Sequence, residues 1–334
     1  MDVFIDPRFD AEFERQPLVL VDVGARGGLK ANWAAARRHL RLVGFEPESL
    51  EFQRLIEAAR TEGRHDVFVD VALHNTSGPI TLHVARDRGL SSVFRPNRAF
   101  LDSFPDAERF DTVDVREIQA DALDAVLAAH AIDAIDFIKA DTQGSELFVL
   151  QGASRSLEAS VLGVEVEVEF TAIYEGQPLF PDVDAFMRGL GFMLFDLRPV
   201  YWKRNLGQDL GGPWGQIVWA DALYLKGLPA LRATVQRSAP EARKAKALKA
   251  VSVALLYGYA DYALDIVRET TAVLTADERS IIEKRVRASG RRRVTLPQFP
   301  GKRLVRGALH RFWNLCRERD EGWAISGAKL GNPD

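Results

Sequence analysis

Four groups of residues in this 334-residue chain have the types and spacing to do chemistry. The first is Val21-Asp22-Val23-Gly24-Ala25-Arg26-Gly27-Gly28, placed where an opening strand would turn into a helix. Glycine there lets the backbone turn tightly and approach a ligand that any Cβ would exclude. The spacing is not the G-x-G-x-x-G of a dinucleotide turn. Asp22, two positions ahead of Gly24, would repel a diphosphate and attract a ligand carrying an ammonium group. The second group is Glu46-Pro47, 24 residues after Asp22, at the tip of the next strand. Nucleoside-binding sheets put an acid there to accept hydrogen bonds from both ribose hydroxyls; a helix cap ahead of Pro47 is the plainer role. The third group, Phe137-Ile138-Lys139-Ala140-Asp141-Thr142-Gln143-Gly144-Ser145-Glu146, ends a strand where cofactor and substrate would meet. Lys139 shares a face with Asp141, and would pair with Asp141 or Glu165 or act in catalysis. The fourth is Val164-Glu165-Val166-Glu167-Val168-Glu169. A central parallel strand is normally a continuous apolar run, so three carboxylates along one side call for a cation, a polar ligand or water. A solvated edge strand is the bland explanation, and Glu165 suits a structural pair. Glu167 and Glu169 lie nearer the end where a substrate would sit.

Seven β-rich runs would position these groups: 18–23, 42–45, 67–73, 135–138, 161–168, 192–195 and 217–225. Helical stretches at 32–40, 48–60, 122–130, 146–158 and 183–190 alternate with them, which is the rhythm of a parallel sheet wrapped by helices. The turn Asn75-Thr76-Ser77-Gly78-Pro79 before Ile80–Val84 predicts a hairpin inserted after the third strand. Residues 87–109 show little periodicity and read as a mobile loop. Beyond Gly227 the strand signal stops, and helices are expected at 241–257, 261–271, 277–289 and, after a Pro-bounded linker, 302–319. The expected divisions are an N-terminal segment 1–17, a catalytic unit 18–227 and a basic helical extension 228–334.

Composition narrows the classes. With 47% hydrophobic residues the chain can bury a large core, and one cysteine, Cys316, cannot make an internal disulfide. No apolar run reaches membrane-spanning length and the N-terminus does not resemble a signal peptide, so a cytoplasmic protein is expected. The net charge of −3 divides into −13 through Gly227 and +10 beyond it. The basic segment therefore either docks on the acidic part of its own chain or of a twin subunit, or faces something anionic.

S-adenosylmethionine is a ligand of the cationic kind that the glycine turn favours, and the motif order resembles that of the FkbM-type methyltransferases, a branch of the class I S-adenosylmethionine-dependent enzymes. The matching pieces are 21–28, Gly44-Phe45-Glu46-Pro47, Val71-Ala72-Leu73-His74-Asn75, Leu90-Ser91-Ser92-Val93, 138–147 with Leu150-Gln151-Gly152-Ala153, and the Glu-bearing fifth strand. The resemblance spans about residues 18–225. It implies a Rossmann-like seven-stranded α/β sheet with helices on both faces and an antiparallel last strand, and methyl transfer to a hydroxyl of a sugar, glycan or natural product. By the same resemblance Asp22, Gly24, Ala25 and Gly28 frame the methionine part of the cofactor. Glu46 with Pro47 holds the ribose, Asp70, Val71 and Ala72 flank the adenine, and Asp141 lies by the methionine amine or the reacting centre. The family commonly has Asn at the place of Arg26 and Glu at the place of Gln143.

An alcohol is a weak nucleophile, so a base within hydrogen-bond reach is expected: Asp141, then Glu167, then Glu169, with Lys139 beside them. A hard divalent cation on Asp141 and Glu167 is the alternative to such a base, although the scheme needs no metal. Residues 174–178 and 201–204 would line the acceptor pocket or belong to the core. In the C-terminal stretch, Leu304, Val305, Ala308, Leu309, Phe312 and Leu315 recur at helical spacing among basic residues. Packing of that stripe on the rest of the protein is the preferred reading, and contact with an anionic membrane, at its inner face, is the other. Two further functions stay open: an inactive cofactor-binding module whose tail recruits a partner, suggested by Gln143, and RNA methylation. The acidic catalytic half disfavours nucleic acid.

Overall fold

The computed structural model describes residues 6–25, 28–64, 66–209, 215–289, 299–316, 323–326 and 330. Arg26, the linker 291–298 and residues 317–319 therefore lie outside the described residues, as does the side chain of Leu315. The strands in chain order are β1 (Leu18–Val23), β2 (Leu40–Phe45), β3 (Val67–Val69), β4 (Ala72–Leu73), β5 (Gly78–Ala85), β6 (Thr112–Asp121), β7 (Phe137–Ala140), β8 (Gly163–Glu169), β9 (Phe192–Trp202), β10 (Gln216–Lys226) and β11 (Ala324–Ile325). The main sheet runs β3-β2-β1-β7-β8-β10-β9, with the two-residue β11 added at the β9 edge. β1, β2, β3, β7 and β8 pair in parallel, and β10 is antiparallel to both of its neighbours. The seven expected strands and the antiparallel last one are all present.

Alternation along each central strand sends side chains to two separate cores. Val19, Val21, Val43, Ile138, Val164 and Val166 pack with the helices Leu123–Ala129, Glu146–Gly152 and Phe180–Gly189. Leu18, Leu20, Leu42, Phe137, Leu223 and Leu225 pack on the opposite face against Trp33, Leu248, Val251, Ile266 and Ile282. The helices Arg243–Leu256, Ala260–Glu269 and Ala276–Ser289 thus share an apolar cluster with the sheet. Their charges dock as well: Lys246 and Lys249 both reach the buried Asp136 at 2.5 and 2.8 Å, Lys244 bridges Glu12 and Glu278, and Arg285 meets Asp6 at 2.5 Å. Much of the basic excess is spent on the acidic part of the same chain.

Several expectations are corrected. The run 67–73 splits, because β4 leaves the main sheet to pair with β6, and the partner of β5 is also β6, across 26 intervening residues rather than in a tight hairpin. The helix expected at 146–158 breaks between Gly152 and Ser154; a Cβ on Gly152 would stand 2.3 Å from the His74 carbonyl oxygen. Residues 31–39 form a 3-10 run rather than an α-helix. The segment 87–109 is no open loop: Leu101, Phe104 and Phe110 are buried against Tyr174, Val200 and Trp202. The stripe of the helix Lys302–Cys316 does not pack, since Leu304 and Leu309 are 80% and 61% exposed. Among the described residues, no helix is long and apolar enough to cross a membrane.

Candidate active site

Every carboxylate singled out on strands β1, β7 and β8 falls on one face of the sheet, because the register puts Asp22 beside Lys139 and Lys139 beside Glu165. Asp141 follows Lys139 by two residues, and Glu167 stands beside Asp221 of β10. Seven residues of β8 are buried in succession, so it is a central strand and no solvated edge. Among the described residues six acids, Asp22, Asp141, Glu165, Glu167, Glu169 and Asp221, thus line a face that carries three cations. Lys139 bonds Asp22 at 3.0 Å, Lys30 meets Glu165 at 2.5 Å, and Arg198 pairs with Asp221. The face keeps an excess of negative charge for a cationic ligand.

Lys139 therefore pairs with Asp22, not with Asp141 or Glu165 as expected. Both members are buried, and although burial opposes the ammonium, Asp22 and then Asp141 hold its pKa above the usual lysine value. Removing one partner of a buried pair leaves an uncompensated charge. Lys139→Met is expected to lower stability by about 3 kcal/mol; if Lys139 is positional, turnover per folded molecule changes little. Thermal melting beside steady-state rates separates the two roles. Glu165 is saturated by Lys30 and by the Tyr257 hydroxyl at 2.7 Å, which makes it structural.

Gly24 forms the tightest part of the turn. Its φ is +74°, and a Cβ would lie 2.2 Å from the Asp141 carbonyl oxygen. Gly28, at φ +78°, has open space around it and Ala25 is buried. At the next tip Glu46 is buried and one of its oxygens accepts from the Glu48 N–H at 3.0 Å. The helix Ser49–Thr61 is capped by Glu48, whose carboxylate accepts from Leu50 and Glu51. Pro47 links the two acids; Asp70 is exposed, with Val71 and Ala72 half-buried, in the step from β3 to β4.

Around Asp141 the loop is locked. Gln143 adopts φ +59°, a left-handed conformation that costs a non-glycine residue about 1–3 kcal/mol. Its carbonyl accepts from the Ser92 hydroxyl at 2.6 Å and its side-chain oxygen from the Tyr174 hydroxyl at 3.2 Å. Its amide nitrogen then donates to Asp141 at 3.1 Å and to Glu167 at 3.0 Å. A metal ion between those carboxylates would have to displace that amide. Burial, followed by the charges of Asp141 and Glu169, pushes Glu167 well above the usual carboxylate range. Glu169 is raised by burial and by Glu146; one of its oxygens and the side-chain nitrogen of Gln177 are buried without hydrogen-bond partners.

Sequence reasoning did not single out Glu146, which accepts from the Thr142 and Gly144 N–H groups at 2.6 and 2.9 Å and so shapes the loop. Its signal was present: an acid opening the helix directly after a Gly-Ser step. Burial pushes Glu146 up to about 7, against the pull of those donors. An acid with a raised folded pKa holds its proton more tightly when folded. The resulting stability is complete below the ordinary value of 4.5 and is lost as pH rises through about 7. The melting temperature is expected to fall between those values, and Glu146→Gln to flatten that part of the slope while the part due to Glu167 and Glu169 persists. Scanning fluorimetry across pH checks this. Lys30 was also missed; only the acidic strand hinted that some cation must arrive. Tyr174 and Trp202, candidate pocket residues, are buried in the aromatic cluster under segment 87–110.

A 3-2-1-4-5-7-6 sheet with a glycine turn after its first strand and an acid at its second tip defines a class I methyltransferase fold. The family model described as "Methyltransferase FkbM domain" matches residues 22–194, and the chain belongs to that family. Methyltransferase FkbM from Methylobacillus flagellatus KT is similar in structure at 17% identity, over 63% of this chain and 43% of that one, with a TM-score of 0.39. The match thus spans less than half of that protein. Precorrin-6y C5,15-methyltransferase from Geobacter metallireducens GS-15 aligns at 13% identity over 66% and 86% of the two chains, with a TM-score of 0.29. The N-terminal domain of EvdMO1 with SAH bound aligns at 10% identity over 67% and 82%, with a TM-score of 0.30. No curated protein matches. The cofactor is S-adenosylmethionine, and the Gly24 cradle, which a Cβ would fill, and the acid-rich face fit it.

Proposed function

We propose that this enzyme methylates a hydroxyl oxygen of a polyhydroxylated acceptor, a sugar of a glycan or a natural product, with residues 18–227 carrying the chemistry and residues 228–334 forming a basic helical extension. The observation that carries the reading is the Asp141–Gln143–Glu167 arrangement at the strand tips. When bound, the cofactor supplies a methyl group on a positively charged sulfur. Asp141 accepts the hydroxyl proton, and Gln143 fixes the carboxylate that receives it. Burial, followed by Asp141 and Glu169, pushes Glu167 well above the usual carboxylate range, which favours its neutral form beside Asp141. Glu46 holds the ribose, and Gly24 and Gly28 let the backbone close on the methionine part. Asp22 and Lys139 hold the floor beneath them. Much of the rate then comes from aligning oxygen and methyl, which the locked loop favours.

The inactive-module reading has one observation in its favour: Gln143 stands where the family commonly has Glu. In this chain the amide joins two carboxylates, a task that a second acid would not perform without a proton. The test is incubation of the full chain with methyl-labelled donor and a panel of hydroxylated acceptors. Label on an oxygen of one acceptor supports the proposal; donor binding without transfer to any of them supports the module. Comparing metabolites and glycans of cells with and without the gene identifies the acceptor by a single added methyl. We place the protein in the cytoplasm on its cysteine usage, at the membrane's inner face.

A further inference from the structure

The helix Lys302–Cys316 contains no acidic residue. At 3.6 residues per turn, Leu304, Val305, Ala308, Leu309 and Phe312 share an arc of about 140°, and Lys302, Arg303, Arg306 and Arg311 fall outside it. In most proteins such an arc is covered by the core. Here Val305 and Phe312 are 46% and 66% exposed, alongside the similarly uncovered Leu304 and Leu309. In the preceding helices Lys246 and Lys249 are spent on Asp136, Lys244 on Glu12 and Glu278, and Arg285 on Asp6. Among the described residues Arg303, Arg306 and Arg311 enter no ion pair. An apolar face flanked by unspent positive charge is complementary to an anionic lipid surface.

The chain beyond this helix ties it to the active site. Trp323 packs edge-on to Trp202 at 5.0 Å and donates its indole N–H to Asp106 at 2.9 Å, with the Arg109 guanidinium 5.0 Å from its ring. Ala324 and Ile325 then pair with Trp202 and Tyr201. Those residues end β9 on the edge where the other parallel strands carry the site, and Trp202 shares its aromatic cluster with Tyr174, the partner of Gln143. Seven residue steps separate Cys316 from Trp323, so the helix end lies within about 24 Å of that wall.

We infer that this helix lies in the surface of an anionic membrane and holds the strand-tip end of the enzyme against it, so that the acceptor is a lipid-anchored hydroxyl compound. The second half of this statement rests on the methyltransferase reading above; the first does not. The full chain, sedimented with vesicles of phosphatidylcholine alone and with equal parts phosphatidylglycerol, should bind the anionic vesicles about tenfold better, and less at high salt. Leu309→Asp with Phe312→Asp should cut that binding about tenfold. Melting temperature and calorimetric affinity for S-adenosylhomocysteine should stay unchanged, because none of these side chains touches the core or the site. Arg303→Ser with Arg306→Ser should weaken anionic binding alone. Equal binding to neutral vesicles, or binding indifferent to both pairs of substitutions, overturns the inference. So does a chain that is dimeric in solution and becomes monomeric with Leu309→Asp and Phe312→Asp, since a second copy would then cover the face. Loss of homocysteine-nucleoside binding with vesicle binding intact would overturn the methyltransferase reading instead.

Discussion

Gly24→Ala is expected to abolish cofactor binding at working concentrations, lowering affinity for S-adenosylhomocysteine at least about a hundredfold, and to cost about 2–4 kcal/mol of stability. Two penalties combine. The left-handed φ of +74° disfavours any side chain, and the new methyl would stand 2.2 Å from the Asp141 carbonyl oxygen, so the tips of β1 and β7 must separate. Separation moves the two elements that hold the ligand, and the Gly24 N–H would be drawn away from the Phe45 carbonyl that it now reaches at 3.1 Å. Gly28→Ala supplies the control. It has a similar φ of +78° but no atom within 4 Å of the added carbon, so it should cost about 1 kcal/mol and less than tenfold in affinity. Calorimetry with both variants reads the difference. Equal losses would mean that conformation alone, and not the close approach to Asp141, governs the turn.

The contrast between those glycines was not visible in the sequence, which marks both as turn residues. Strands are local: Leu18–Val23 or Val161–Val168 announce themselves through β-branched runs, and so the sheet and its order of motifs were legible. β6 was not, because Thr112–Asp121 carries alternating charges and most of its residues are exposed, leaving no apolar face to betray a strand. Segment 87–109 was misjudged for a related reason. Leu90, Phe94, Leu101, Phe104 and Phe110 follow no period, since they converge on Trp202 from irregular turns. At the site, the acids of β8 stood out as an anomaly but their partners did not. Pairing Lys139 with Asp22 depends on register across a strand 117 residues distant. The amphipathic pattern at 302–316 is likewise the same whether its apolar face meets a core or a membrane, and only the fold shows that no core covers it.

The separation of Asp141 from Glu167 is where the chemistry itself is tested. Asp141→Asn should reduce kcat by about 10²–10⁴, the range expected for loss of a positioned base, while affinity for S-adenosylhomocysteine changes only a few-fold. An amide in that place cannot take the hydroxyl proton, yet it preserves shape and still meets Gln143. Glu167→Gln should behave differently. Burial and two neighbouring acids push the Glu167 carboxyl well above the usual carboxylate range, so the amide resembles the neutral form that this environment favours and kcat should fall less than about tenfold. The two substitutions remove the same functional group at sites joined by one Gln143 amide, and steady-state rates on the same acceptor compare them directly. If Glu167→Gln is the variant that loses turnover, the proton goes to β8 rather than to β7. Gln143 would then serve to hold Asp141 out of the reaction, not to aim it.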